Sequence, residues 1–177
     1  MRFANDSAPH GKPLRQTLLR CWVNCGKSGQ SLNNGISYEE YLKTHNSLTY
    51  TNVGTSMLPL LRQGKDLFTI VKKGEARCEV GDVVLYRRPP CHYVLHRIVK
   101  VRENDYVILG DNCVNREYGV TDNDILGVMV GYVRNGKAHS ANEPLYIFYT
   151  CLWTHTAGLR ITAKRCIYRI GKWLNKR

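Results

Sequence analysis

Hydrophobic residues in the middle of this chain fall into short runs that turn residues separate. Several runs alternate apolar and polar positions or are rich in valine, isoleucine and tyrosine, which is typical of β-strands. The pattern predicts five strands: Leu67–Lys72, Asp82–Tyr86, Tyr93–Arg102, Tyr106–Leu109 and Ile125–Val133. Because no long helix interrupts these runs, we expect a mainly β fold with an antiparallel body, either barrel-like or sandwich-like.

Two short helices are predicted before this body. Residues 14–25 are compatible with a helix, and residues 26–35 have the glycine, serine and asparagine content of a flexible linker. Ser37 and Glu40 match a capping box, which predicts a short helix through residues 41–44. We therefore expect residues 1–36 to be an appendage and residues 37–143 to form the main domain.

The remaining segment, residues 144–177, begins with a dense apolar and aromatic run, 144–153, that is too short to span a bilayer. Residues 158–177 then project as an amphipathic helix with an apolar and a basic face. The apolar face holds Leu159, Ala163, Cys166, Ile167, Ile170, Trp173 and Leu174, and the basic face holds Arg160, Lys164, Arg165, Arg169, Lys172 and Lys176.

Two interpretations of this helix are open. A basic amphipathic helix with a tryptophan and no acidic residue is typical of an anchor on an anionic membrane surface. Alternatively, the apolar face packs on the protein's own body and the basic face is solvated.

Charge and cysteine content indicate the kind of partner and the cellular compartment. The 177 residues carry 26 Lys and Arg against 14 Asp and Glu, and this formal net charge of +12 implies an anionic partner. No nucleic-acid-binding motif is evident, so nucleic acid is not expected. The odd number of cysteines, seven, and the lack of a recognisable secretory signal favour a reducing compartment. We expect a cytoplasmic protein, able to lie peripherally at a membrane, with no metal or cofactor.

Three groups in the predicted β body could carry acyl-transfer chemistry. Ser56 follows Gly54-Thr55 in a turn and is a candidate nucleophile, and His96 on a predicted strand is a candidate general base. Partial desolvation on that strand would lower the pKa of His96 and keep the imidazole neutral. His92, in a proline-containing loop, is the weaker alternative base.

Four short motifs occur in the order seen in one family of serine peptidases. They are Ser56-Met57-x-Pro59, Gly81-Asp82-Val83-Val84, His96-Arg97-Ile98 and Gly110-Asp111-Asn112. In this order they resemble the signal peptidase I and LexA-like serine peptidases over about residues 50–133, roughly half the chain. The histidine in its His-Arg-Ile context is similar to the histidine type of that family, whereas other members use lysine.

The resemblance implies a catalytic β fold of the LexA and signal peptidase kind, and roles for particular residues. Asp111 or Glu117 would orient His96, with Asp122 and Asp124 behind them. The Ser56 amide would donate to the oxyanion, and the Thr55 hydroxyl is the candidate for the second donor. Met57 and Pro59 would contact substrate. Gly54 stands where signal peptidases often carry a supporting hydroxyl, and the chain lacks their usual transmembrane segment.

The function that we expect is a serine endopeptidase that cleaves a leader or signal-type peptide through an acyl-enzyme. By resemblance, small residues would precede the cleavage site. Two alternatives stay open: a non-catalytic module of the same fold that binds a peptide or a membrane, and a LexA-like self-cleaving regulator. No helix-turn-helix is evident, and lysine would be the usual base of such a regulator.

Overall fold

The computed structural model describes residues 37–90 and 92–174, so the predicted helix at residues 14–25 and its linker lie outside the described residues. The described chain forms three helices and eight strands. In chain order, the elements are α1 (Tyr38–His45), β1 (Ser47–Thr51), β2 (Leu67–Lys72), β3 (Val83–Arg88), β4 (His92–Val101), β5 (Tyr106–Leu109), β6 (Glu117–Val120), a 3-10 turn (Asp122–Asp124), β7 (Ile125–Arg134), β8 (Lys137–Ser140), α2 (Pro144–His155) and α3 (Ala157–Leu174).

All the strand pairs are antiparallel, as the alternating sequence pattern predicts. The strand order is β1-β2-β7-β3-β4-β5-β6, and β8 pairs with the second half of β7. β1 and β6 lie at opposite ends of this path, so the described strands form an open sheet instead of a closed barrel. The prediction of a mainly antiparallel β body is confirmed at this level.

Both faces of the central strand β3 are buried. Val83 and Leu85 belong to one hydrophobic cluster with α1 and the loop after β1, whereas Val84 and Tyr86 belong to a second cluster with β5 and β7. Because side chains alternate across a strand, this arrangement places β3 and its neighbour β4 between two packed layers. The polar side chains in the middle of β4, His96 and Arg97, are consequently removed from water.

Three strands were not predicted from the sequence: β1, β6 and β8. Each is only four or five residues long and, unlike the equally short but wholly apolar β5, contains polar residues, so its sequence cannot be told from that of a loop. The helix predicted after Ser37 is present and begins earlier, at Tyr38. Ser37 Oγ accepts from the Glu40 amide at 3.1 Å, while the return bond from Glu40 is not formed within the described residues.

The apolar run at residues 144–153 lies in the helix α2, which packs on the sheet. Tyr146 is buried in the first cluster, and Tyr149 and Trp153 reach the turn after β5. The following helix α3 buries only Ala157 and Ile161, beside Leu109. None of the helices in the described part of the chain is long and apolar enough to cross a membrane.

Candidate functional site

The loop that carries Ser56 is held in place by side chains that it buries in the core. It connects β1 to β2, and its side chains Met57, Leu60 and Leu61 are buried in the first hydrophobic cluster. The buried Asn52 side chain donates to the Gly54 carbonyl at 3.0 Å and to the Leu61 carbonyl at 3.3 Å. These contacts hold the half-buried Ser56 at the surface of the sheet, as a positioned nucleophile requires.

Two expectations about this loop change. Met57 has 0% of its surface exposed, so it packs beneath the loop and does not face a substrate, whereas Pro59 is exposed. Gly54 has φ +98°, which an L-residue with a side chain rarely adopts. The backbone therefore requires glycine at the position where signal peptidases often carry a hydroxyl.

His96 is buried in the middle of β4, with 5% of its surface exposed. Its Nδ1 lies 3.2 Å from Glu117 Oε1 and 3.4 Å from the Tyr86 hydroxyl. Burial lowers the pKa of His96, and the nearby Glu117 only partly opposes this effect. The imidazole is consequently neutral at neutral pH, which is the state that a general base needs.

Glu117 is held as an anion by its own partners. Its carboxylate accepts from the Tyr86 hydroxyl at 2.7 Å and from the guanidinium of Arg88, whose Nε is 2.9 Å away. Burial by itself would raise the pKa of Glu117, but these hydrogen bonds and the charge of Arg88 outweigh it and leave that pKa lowered. A fixed negative charge therefore faces Nδ1 of His96.

These contacts determine which nitrogen of His96 carries the hydrogen. The Tyr86 hydroxyl donates its hydrogen to Glu117, so it can only accept from His96. Both neighbours of Nδ1 are thus acceptors, and we assign the hydrogen to Nδ1. The lone pair of the neutral ring then lies on Nε2, on the side away from Glu117.

Nε2 points toward the Ser56 loop across Gly110. A Cβ atom placed on Gly110 would lie 2.8 Å from His96 Nε2 and 2.9 Å from the Ser56 carbonyl oxygen. Those two atoms are therefore no further apart than the sum of these distances. In addition, the Asn112 amide donates to the Ser56 carbonyl at 2.7 Å, and its side chain donates to the Thr55 carbonyl at 3.1 Å.

The Ser56 hydroxyl itself makes no hydrogen bond to any described residue, His96 included. The Ser56 amide likewise donates to no acceptor in the described part of the chain, so this amide is free to bind an oxyanion. The Thr55 side chain is exposed beside it. In enzymes without substrate, a catalytic hydrogen bond is often long and closes only in the complex.

Asp111 has a different role from the one that the resemblance allows. Both of its carboxylate oxygens accept from Arg97 at 2.8 Å, and Oδ2 also accepts from the Tyr149 hydroxyl at 2.9 Å. Arg97 and Asp111 are each buried almost completely. The structure thus brings Glu117, and not Asp111, to the His96 ring.

The remaining candidates lie elsewhere. Asp122 pairs with Lys73 and accepts from Tyr106, and Asp124 caps the turn at Thr121. His92 is exposed at the start of β4. None of these three residues contacts the site formed by Ser56, His96 and Glu117 within residues 37–90 and 92–174.

The sequence analysis missed the two residues that support Glu117, Tyr86 and Arg88. They are two positions apart on β3 and therefore face the same side of the sheet, where β4 brings His96 beside them. The alternation along β3 was the available signal. It could not indicate that Tyr86 and Arg88 contact the candidate Glu117, because β6, which carries Glu117, was not predicted.

A cavity of about 190 Å³ opens beside Ser56. Its lining is largely apolar and aromatic, and includes Leu48, Tyr50, Phe68, Leu85, Tyr93 and Leu95. Such a lining suits an apolar side chain of a bound peptide. Within the described residues, no group of three or more His, Cys, Asp and Glu side chains could hold a metal ion.

Comparison of the chain with protein-family models, with curated proteins and with solved structures finds no match. The relationship to the signal peptidase and LexA-like enzymes accordingly stays a prediction from the four motifs.

Proposed function

We propose that this protein is a serine endopeptidase in which Ser56 is the nucleophile, His96 the general base and Glu117 the group that orients His96. The observation that carries the proposal is the arrangement around His96: Nδ1 faces an anionic carboxylate while Nε2 faces the Ser56 loop across Gly110. This is the division of roles that hydroxyl activation by a histidine requires.

The steps follow from these positions. His96 Nε2 takes the proton of the Ser56 hydroxyl as its oxygen attacks the peptide carbonyl, and Glu117 stabilises the imidazolium that forms. The same proton passes to the leaving amine as the C–N bond breaks, which leaves an acyl-enzyme. A water then attacks the ester, with His96 again taking and returning the proton, and Ser56 is regenerated. The Ser56 amide would stabilise the oxyanion in both halves of the reaction.

The substrate class comes from the resemblance and from the cavity. We propose leader or signal-type peptides with small residues before the cleavage site, in a fold of the LexA and signal peptidase kind. The apolar cavity beside Ser56 would take one apolar side chain of the peptide.

One observation favours a second function, a non-catalytic module that binds a peptide. The Ser56 hydroxyl has no hydrogen bond to His96 within the described residues, as a protein that binds without cleaving would also show. The two functions differ in whether His96 is needed for any change in the bound peptide.

The test incubates the full chain with synthetic leader-type peptides and follows cleavage by mass spectrometry. We expect Ser56→Ala and His96→Gln to reduce the cleavage rate by about 10³-fold or more. Ser47→Ala and His92→Gln change an exposed serine and an exposed histidine, and should leave the rate unchanged.

Circular dichroism would establish that all four variants are folded. Undiminished cleavage by Ser56→Ala would exclude the nucleophile assignment. Tight binding of a peptide with no cleavage, unaffected by His96→Gln, would favour the non-catalytic module instead.

A further inference from the structure

Helix α3 packs on the body through its basic side. The Arg160 guanidinium donates to the Asp111 carbonyl at 2.8 Å and lies over the ring of Trp153, and Lys164 Nζ donates to the Asn112 carbonyl at 2.7 Å. This orientation is the reverse of the usual one for an amphipathic helix on its own protein. The alternative in which the apolar face of α3 packs on the body and the basic face is solvated is therefore wrong.

The consequence is an apolar surface that faces outward. We define the outer face of α3 as Leu159, Ile167, Ile170, Trp173 and Leu174. Leu159 is 75% exposed, Ile167 69% and Ile170 58%. On α2, Leu145, Phe148 and Leu152 are exposed as well. Large apolar side chains grouped in this way are normally covered by a partner, because each one left in water forfeits the free energy of its burial.

The charge of the chain indicates which kind of partner covers the outer face of α3. Residues 144–177 hold seven Lys and Arg and no Asp or Glu, and Arg165, Arg169 and Lys172 on the basic face of α3 are exposed as well. A second copy packed symmetrically on this face would bring an identical basic helix against it. Residues 1–36 carry five Lys and Arg and a single Asp, so their charge is of the same sign. The positive charge therefore favours an anionic partner over a second copy of the chain or residues 1–36.

We propose that the outer face of α3 binds the surface of a membrane that contains anionic lipid. The apolar side chains would enter the boundary between headgroups and acyl chains, and the long, exposed basic side chains of the same helix would reach the headgroups. Trp173 is a residue type that favours this boundary. The helix lies along the surface and does not cross it, in agreement with its length and polarity.

The same helix is connected to the candidate catalytic loop. Lys164 holds the Asn112 carbonyl, and the Asn112 amide donates to the Ser56 carbonyl. Lipid-bound α3 would accordingly hold the Ser56 loop close to the membrane. The lipid-binding proposal goes beyond the proposed peptidase activity and does not depend on it, since binding requires neither Ser56 nor His96.

The test is co-sedimentation of the full chain with vesicles. One set contains phosphatidylcholine alone and the other contains about one third phosphatidylglycerol. We expect binding to the phosphatidylglycerol vesicles, weakened by salt, and little binding to phosphatidylcholine. Ile167→Gln/Ile170→Gln should weaken binding about tenfold or more, and Arg169→Gln/Lys172→Gln should weaken it roughly fivefold for each charge removed.

Matched controls change the same kinds of residue on the β body. Val71→Gln/Val80→Gln removes two exposed apolar side chains, and Lys65→Gln/Lys137→Gln removes two exposed charges. Both control proteins should bind vesicles as the unmodified protein does. Ser56→Ala should also bind normally, so a failure of the peptidase proposal and a failure of the lipid proposal are distinguishable.

Three outcomes would overturn the proposal. One is equal vesicle binding by the α3 variants and the controls. Another is equal binding to the two kinds of vesicle. The third is analytical ultracentrifugation that shows self-association without vesicles, abolished by Ile167→Gln/Ile170→Gln, since this result would assign the outer face of α3 to a second copy of the chain.

Discussion

Gly110 is the residue through which the Ser56 loop and the His96 ring come together. Any side chain at this position would meet Cys113 Sγ at 2.7 Å in addition to the His96 and Ser56 atoms, all closer than real Cβ contacts allow. Glycine is therefore required at position 110 because a side chain would not fit, and not because the backbone adopts a conformation that only glycine favours.

Gly110→Ala should consequently abolish most of the peptide cleavage, because the added methyl group forces His96 and the Ser56 loop apart. We also expect a loss of stability of about 1–3 kcal/mol from overpacking. Peptide cleavage and urea unfolding measure the two effects. Gly74→Ala, at an exposed glycine with open space around it, is the matched control and should change neither. Normal cleavage by Gly110→Ala would contradict the proposed geometry.

Glu117 acts on the other nitrogen of the same ring, and its removal should be visible in the pH dependence of cleavage. The acidic limb of kcat/KM reports His96, whose pKa is lowered by burial and partly restored by Glu117. Glu117→Gln removes the negative charge that raises the pKa of His96, so the acidic limb of the kcat/KM profile should move to still lower pH. The rate should fall by about 10²- to 10⁴-fold as well, because the imidazolium loses its partner.

Glu143→Gln is the matched control for this prediction, since Glu143 is a half-exposed carboxylate away from the site that also lies 3.2 Å from a histidine nitrogen, that of His139. It should leave both the rate and the limb unchanged. A limb that stays in place in Glu117→Gln would show that Glu117 does not contact the catalytic histidine.

At the scale of elements, the buried pair of Arg97 and Asp111 joins β4, the turn after β5 and helix α2. Arg97 also donates to the Gly81 carbonyl at 2.8 Å and to the Thr150 hydroxyl at 3.0 Å. Burial lowers the pKa of Arg97, but its bonds to Asp111 outweigh burial and leave that pKa raised. The pair thus fixes the turn that presents Gly110 and Asn112 to the Ser56 loop.

Asp111→Asn should lower the free energy of unfolding by about 3–5 kcal/mol, because a buried guanidinium is left without its counter-charge. Adding Arg97→Met to this variant should recover much of the loss. Asp105→Asn, which breaks the exposed pair with Arg102, should cost less than about 1 kcal/mol. Urea denaturation compares the three variants. An equal cost for Asp111→Asn and Asp105→Asn would contradict a structural role for the buried pair.

Some helices and strands were predicted accurately from the sequence, whereas the way in which they pack was not. β2 and β5 were predicted to the residue, since each is bounded by turn residues and is rich in branched or aromatic side chains. The helical projection also predicted α3, which runs from Ala157 to Leu174. The direction in which α3 packs was not predictable, because a projection shows that two faces differ and not which one meets the body.

At the scale of the whole molecule, burial of a neutral His96 makes stability depend on pH. The folded protein lowers the pKa of His96, whereas the unfolded chain keeps the ordinary value of about 6.5. Below that pH the unfolded chain binds a proton that the folded protein does not yet bind. The contribution of His96 to stability is therefore present at neutral pH and is lost as the pH falls through this range.

We expect the free energy of unfolding to decrease from pH 7 to pH 5, and His96→Gln to remove about 1 kcal/mol of that decrease. His92→Gln, at the exposed histidine of the same strand, should leave the pH dependence unaltered. Urea unfolding at a series of pH values measures the slope. A His96→Gln protein with the slope of the unmodified protein would contradict a lowered His96 pKa.

By itself, the sequence determined the antiparallel β body, the amphipathic character of α3 and the candidates Ser56 and His96, because local alternation, turn residues and short motifs carry that information. Only the tertiary structure decided that Glu117 and not Asp111 faces His96, and that the apolar face of α3 points outward. The first outcome depends on two pairings of distant segments, β6 with β5 and Asp111 with Arg97, and the second depends on the bonds of Arg160 and Lys164 to the turn after β5. Such pairings follow from the competition among all buried groups, and no local pattern records them.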